Sequence, residues 1–169
     1  MTEVWNAYDL NRNLLPHLLV RGEKIPEGQF HLCVNVLVRH QDGDFLCMRR
    51  SAHKNLYPGY YEFGAGGSVL AGEDSQTAAL RELEEEIGYT GDLDLLYDFY
   101  SAIGFCNERI KLYGATNLKK VENPRPQDAD ETLELLEVTL KEAKDLIQAG
   151  EICDAKTIMA IQYWDLINK

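Results

Sequence analysis

The chain has 169 residues, 45% of them hydrophobic, and 28 acidic against 17 basic side chains give it a formal charge of −11. That is one domain's worth of chain with apolar material for one core, and its negative balance argues against a nucleic acid polymer or an anionic membrane as partner. No apolar run approaches bilayer length and the first residues lack a basic stretch leading into an apolar one, so a cytoplasmic place is expected.

Residues 3–20 read as a hairpin: Val4 to Tyr8, a polar turn at Asp9 to Asn13, and a return through Leu14, Leu15, Leu18, Leu19 and Val20 in which Pro16 marks an edge or irregular arm. After a polar connection, Phe30 to Val38 has the near-continuous apolar character of a central strand. A turn signal at Gln41-Asp42-Gly43-Asp44 then makes Phe45 to Arg50 its expected partner. Arg49 and Arg50 are adjacent on a strand, so they point to opposite faces and one at most can serve a given site.

Lys54 follows in a loop closing at Tyr57-Pro58-Gly59, and Tyr60 to Phe63 is a short strand leading into Gly64-Ala65-Gly66-Gly67, where small residues let the backbone approach a ligand. Ser75 is the expected N-cap of the next helix and Gly88 its left-handed terminus. Beyond it, Leu93 to Ala102 and Arg109 to Tyr113 read as strands, Val121 to Asp130 as a loop and Thr132 to Val138 as the last strand. Thr139 and Glu142 form a capping box opening a helix that ends near Gly150, and a final helix from about Asp154 turns Ile158, Ile161, Trp164 and Ile167 to a core. Cys33, Cys47, Cys106 and Cys153 show no paired spacing of the zinc or redox type, so reduced thiols are expected.

The helix from Ser75 carries the chemistry. At about 100° per residue, Glu82, Glu85 and Glu86 share one face while Leu80, Leu83 and Ile87 lie well round the cylinder from them. Carboxylates crowded on neighbouring turns repel unless a cation sits among them, and hard oxygen donors suit Mg²⁺ or Mn²⁺. A solvated acidic face is the plainer reading of the triplet taken alone.

The spacing as a whole decides otherwise. Gly67, Glu73, Arg81, Glu82, Leu83, Glu85, Glu86, Gly88 and Tyr89 stand where the Nudix box has its fixed positions, with an aromatic at Tyr89 where an aliphatic residue is usual. The chain therefore resembles the Nudix hydrolases. That resemblance implies an α/β/α sandwich with a mixed sheet. It also implies hydrolysis of a nucleoside diphosphate linked to another moiety, with divalent metal held by Glu82, Glu85, Glu86 and a backbone carbonyl of the glycine pair, Gly67 or its neighbour Gly66. Arg81 pairs with Glu73 in this reading and braces the loop, and the general base is Glu85, Glu86 or a carboxylate near Asp130 and Glu131. The expected organisation is one domain over 1–169, with 1–29 a hairpin extension and 30–169 the Nudix core. The expected partner is a small phosphorylated molecule, with a homodimer left open.

Outside the box, His31-Leu32, Arg49-Arg50, Lys54 and Pro58-Gly59 resemble isopentenyl-diphosphate isomerases and their hydrolase relatives, in which the residues matching Arg50 and Lys54 hold a diphosphate and the one matching His31 binds metal. Isomerase chemistry is set aside because Gly66 replaces the catalytic cysteine, Glu82 an arginine and Ser68 a second histidine. Ser101 to Phe105, Glu108 with Ile110, and Gly150 to Thr157 resemble ADP-ribose and ADP-sugar pyrophosphatases, although the usual proline is missing among Ile103, Gly104 and Phe105. The resulting substrate contacts are Arg50, Lys54 and Glu131. The competing expectation is a nucleotide sensor of the same fold that does not turn its ligand over.

Overall fold

In a computed structural model that describes residues 2–39, 43–52, 57–102, 106, 108–126 and 134–167, the apolar run after Phe30 forms the central strand of a mixed sheet. The N-terminal strands β1 (Val4–Tyr8) and β2 (Leu14–Val20) make an antiparallel hairpin, and among the described residues β2 pairs only with β1, which leaves Pro16 on an edge. Strand β3 (His31–Val38) lies between β6 (Ala65–Ser68), antiparallel to it, and β8 (Glu108–Lys120), parallel to it; β7 (Tyr89–Tyr100) completes the order β6-β3-β8-β7. A second, antiparallel sheet has β4 (Phe45–Arg49) between β5 (Tyr61–Phe63) and β9 (Glu134–Val138).

Alternation along the strands builds two cores. Val34, Val36 and Val38 face α1 (Ser75–Glu82) and pack with Ala78, Ala79, Leu83 and Ile87. Leu37 faces the other way, toward Phe45, Phe63 and Leu112 and the helices α2 (Leu140–Ala149) and α3 (Ala155–Ile167). Both sheets thus lie between one helix and a pair, the α/β/α arrangement expected. The hairpin has its own small core of Trp5, Ala7 and Leu19 and is tied to the rest through paired backbone bonds between Tyr8 and Phe30 and one from Ala71 N–H to the Val4 carbonyl, each 2.9 Å.

Several local expectations differ from the structure. Phe45–Arg49 does not pair with the preceding strand: both edges of β3 are already occupied, so β4 crosses to the second sheet and meets its predecessor only through a bridge between Arg39 and Phe45. Asp74, not Ser75, caps α1, its side chain accepting from Thr77 N–H at 2.7 Å, and the Ser75 hydroxyl instead bonds the Tyr113 hydroxyl at 2.7 Å. Ile167 is 53% exposed. Residues three apart on a helix drift about 60° per step, so the row begun by Ile158 and continued by Ile161 and Trp164 has left the core face by the last turn. Strands β7 and β8 run longer than their apolar cores suggest, because their mutual pairing continues through polar residues from Tyr89 to Lys120. The Thr139 capping box is present, with Glu142 N–H donating to Thr139 Oγ1 and Thr139 N–H to Glu142 Oε2.

Candidate functional site

The loop Gly64 to Ser68 and the end of α1 meet over the centre of β3. Register places Gly66 opposite Asn35 and Gly67 opposite Val34, so the glycine-rich strand lies flat on the central one. The helix does not continue regularly to Gly88. After Glu82 it widens into a π-helical turn, Leu83–Ile87, closed by Gly88 in the left-handed conformation at φ 77°. Such turns are uncommon and gather at functional sites, where they re-aim side chains.

The three glutamates lie around this turn in different surroundings. Glu82 and Glu86 are buried, at 8% and 7% exposure, on the side facing the glycines. Glu86 Oε2 accepts from Gly66 N–H at 2.9 Å. The carboxylate of Glu82 lies so close over Gly67 that a Cβ built there would stand 2.3 Å from Oε1. Glu85 is more exposed and faces two arginines: Arg81 Nη1 at 2.9 Å and Arg125 Nη1 at 3.8 Å.

Arg81 is the hub of this arrangement. It grips Glu73 with two bonds, Nε to Oε1 at 2.9 Å and Nη2 to Oε2 at 3.1 Å, and donates to the Ser68 carbonyl at 2.9 Å. Nη1 reaches Glu82 Oε1 at 2.7 Å as well as Glu85. Burial works against its charge, but the surrounding carboxylates more than offset that and hold the guanidinium protonated. One guanidinium thus faces three carboxylates. Among the described residues no three His, Cys, Asp or Glu side chains form a ready metal cage. Of the triplet expected to share one face, Glu82 and Glu85 meet at Arg81 Nη1, and Glu86 accepts from Gly66 N–H. The donor set still fits a hard divalent cation, since buried carboxylates in excess of their counter-charge are costly without one.

Beside the glycines opens a cavity of about 250 Å³ whose wall includes Asn35, Glu62, Glu86, Glu108 and Lys156. Lys156 enters from the first turn of α3 and its Nζ lies 3.0 Å from Asp154 Oδ1. Burial disfavours its charge, yet Glu62, Asp154 and Glu108 outweigh that and raise its pKa above the ordinary lysine value. His31 lines the same cavity and stacks on Trp5 with ring centroids 4.2 Å apart; burial lowers its pKa despite Glu108 beside it. Arg50 pairs with Glu62 and lines a neighbouring cavity of about 350 Å³ with Tyr57, Tyr60 and Tyr61. Lys54, Asp130 and Glu131 lie outside the described residues.

Glu62 and Asn35 carry no motif signal, although an asparagine inside the run Val34-Asn35-Val36 is an anomaly that could have been noticed. Glu108 and Lys156 stand in the sequence only as parts of wider likenesses. A larger cavity of about 400 Å³ beneath the hairpin contains none of the three clustered glutamates.

With this geometry in hand, comparison with known proteins is direct. A family model described as the NUDIX domain matches residues 29–160. Over 101 residues the chain is 44% identical to an ADP-ribose pyrophosphatase of Bacillus subtilis (strain 168), the match covering 59% of this chain and 55% of the other. It is 45% identical, with the same coverage, to a methanol dehydrogenase activator of Bacillus methanolicus. The matched stretch thus spans about half the length of these curated relatives. Among solved structures, DR0079 from Deinococcus radiodurans superimposes with a TM-score of 0.68 at 21% identity, covering 95% of this chain and 98% of that one. An ADP compounds hydrolase superimposes with a TM-score of 0.65 at 19% identity, covering 95% and 90%. These two likenesses concern the fold.

Proposed function

This chain belongs to the Nudix family, whose domain model spans residues 29–160 of it, and on that premise we propose that it is a metal-dependent pyrophosphohydrolase cleaving the diphosphate linkage of a nucleoside diphosphate derivative. The observation that carries the reading is the placing of Glu82 and Glu86, both buried, against Gly67 and Gly66. The 44% identity to a protein named ADP-ribose pyrophosphatase supports a nucleoside diphosphate joined to a sugar as the substrate class. Residues 1–169 act as one unit in this reading, the hairpin of 1–29 being an extension bonded to the core.

Glu82, Glu85, Glu86 and the carbonyl of Gly67 are the groups that would hold Mg²⁺ or Mn²⁺. A divalent ion there supplies neutralisation of the diphosphate oxygens and a lowered pKa for water. The chain's own residues supply the rest. Arg81 fixes the glycine loop to the helix through Glu73 and the Ser68 carbonyl. Lys156, which lines the same cavity, offers a charged ammonium to the diphosphate, and Arg50, just beyond Glu62, a guanidinium. Lys54 and Glu131 remain proposed substrate contacts on the strength of the motif resemblance. The base that takes the proton of the attacking water is a carboxylate of this group, and such clusters titrate together.

Purified protein with Mg²⁺ or Mn²⁺, offered a panel of nucleoside diphosphate sugars, ADP-ribose, dinucleotides and nucleoside triphosphates, is expected to release a nucleoside monophosphate from one class. Glu86→Gln should abolish that turnover and leave the melting temperature near wild type, since glutamine still accepts from Gly66 N–H. Near-normal turnover in the variant would reject the metal role. Binding without turnover across the whole panel would favour the sensor reading, which the contacts of Arg81 to Glu82 and Glu85 make worth testing.

A further inference from the structure

Along the face of β3 that looks away from α1, the residues run His31, Cys33, Asn35, Leu37. Leu37 packs in the second core and the first three line the cavity beside the glycine loop. Asn35 is only 3% exposed, and among the described residues its Oδ1 meets no hydrogen-bond partner. Both flanking strands are close: its register partners are Gly66 on β6 and Leu112 on β8. A Cβ built on Gly66 would stand 2.6 Å from Asn35 Nδ2, so the amide is pressed against the same glycine whose N–H holds Glu86.

An isolated buried amide is destabilising, and an aliphatic side chain of the same size would fill this position as Leu37 fills the next one along. The oxygen itself is buried, but the residue lines the cavity, and the terminal torsion of an asparagine is soft enough to turn that oxygen toward a ligand that donates to it. Phosphate oxygens are acceptors, so the diphosphate is not that ligand. A water is.

We propose that Asn35 belongs to the reaction site, its amide oxygen accepting one O–H of the water that attacks the diphosphate. This rests on the hydrolase reading. In the step, the water oxygen forms a bond to one phosphorus as the bridging P–O bond breaks, and the leaving phosphate oxygen keeps the electron pair. One proton of the water passes to a carboxylate of the site. Asn35 exchanges no proton; it fixes the other O–H and so the direction of the lone pair that attacks.

The test compares wild type with Asn35→Leu and Asn35→Asp, by steady-state kinetics on the substrate that the panel identifies and by thermal melting. Leucine removes the acceptor but keeps the volume, and kcat is expected to fall about a hundredfold with KM little changed and the melting temperature equal or higher. Aspartate keeps an oxygen in place and should retain kcat within about tenfold of wild type. Turnover by Asn35→Leu within threefold of wild type overturns the proposal, as does a melting temperature that falls in both variants along with activity, which would make the amide structural. Wild type silent on the whole panel sinks the hydrolase reading and this inference with it. Active wild type with active Asn35→Leu sinks this one alone.

Discussion

A single methyl group added at Gly67 should disable the site while leaving the fold standing. The glycine sits in β6, paired with Val34, at an ordinary extended backbone conformation, so alanine is allowed there on backbone grounds. What it meets is the end of Glu82: the built Cβ lies 2.3 Å from Oε1, 2.6 Å from Cδ and 2.9 Å from Oε2. Restoring separations of about 3.5 Å forces the carboxylate back by about 1 Å. Glu82 also holds Arg81 Nη1 at 2.7 Å, and a shift of about 1 Å in a catalytic constellation costs about a hundredfold in rate, or about 2.7 kcal/mol in the barrier. The displaced group is a side-chain tip, so the stability change should stay within about 1 kcal/mol. Kinetics at increasing Mg²⁺ together with a thermal melt read both effects. The contrast is Gly64→Ala, whose Cβ would fall 1.5 Å from the Val36 carbonyl at φ +77° and should prevent folding outright. If Gly67→Ala turned over within about threefold of wild type at saturating metal, the contact between Glu82 and the glycine loop would be irrelevant to chemistry and the argument would fail.

Arg81→Met leaves Glu82 buried without its cation and frees Glu73 from its two bonds; a loss of about 3 kcal/mol is expected, seen as a melting temperature lower by about 6–12 °C that added Mg²⁺ partly restores. Asp154→Asn tests the tie to Lys156. Burial pushes the Asp154 carboxyl up, but Lys156 and Thr157 more than offset this and depress its pKa, so its contribution exists above the unfolded-state pKa and vanishes as pH falls through the folded value. Stability of the variant should therefore lie about 1 kcal/mol below wild type at pH 7 and converge with it in acid, as urea melts at several pH values would show; a gap independent of pH refutes the assignment. Alkylation at pH 8 followed by mass spectrometry should label exposed Cys153 well before Cys33 or Cys47, whose thiol pKa values burial pushes up to about 12. Equal labelling rates would mean that the two strands open readily.

The sequence makes legible whatever depends on local periodicity or on a fixed spacing. The hairpin, the strand after Phe30, the glycine loop, the Gly88 terminus and the Thr139 capping box are each written in neighbouring residues, and the structure has them. Pairing between distant segments is not written there. Phe45–Arg49 looks like the second arm of a hairpin because a turn precedes it, and only the occupation of both edges of β3 sends it to another sheet. Glu62, Glu108 and Lys156 come from three separate elements, β5, β8 and α3, and nothing in their spacing announces that they share a cavity. Asn35 was readable as an anomaly in an apolar strand, but its orphaned oxygen is a fact of packing alone.

The turn from α to π geometry in the box helix changes what the three glutamates can be. A regular helix would set Glu82, Glu85 and Glu86 on one face, where mutual repulsion is relieved only by an ion. Around the wider turn Glu82 and Glu86 are buried, and Arg81 and Arg125 offset part of the charge of Glu82 and Glu85. Arg81 then has two duties that pull in opposite directions. Its grip on Glu73 and Ser68 must persist for the loop to keep its shape, whereas its contacts to Glu82 and Glu85 compete with any cation those carboxylates hold. Because one guanidinium serves both, a divalent ion at the proposed site would compete with Nη1 alone, while Nε and Nη2 hold Glu73 and the Ser68 carbonyl.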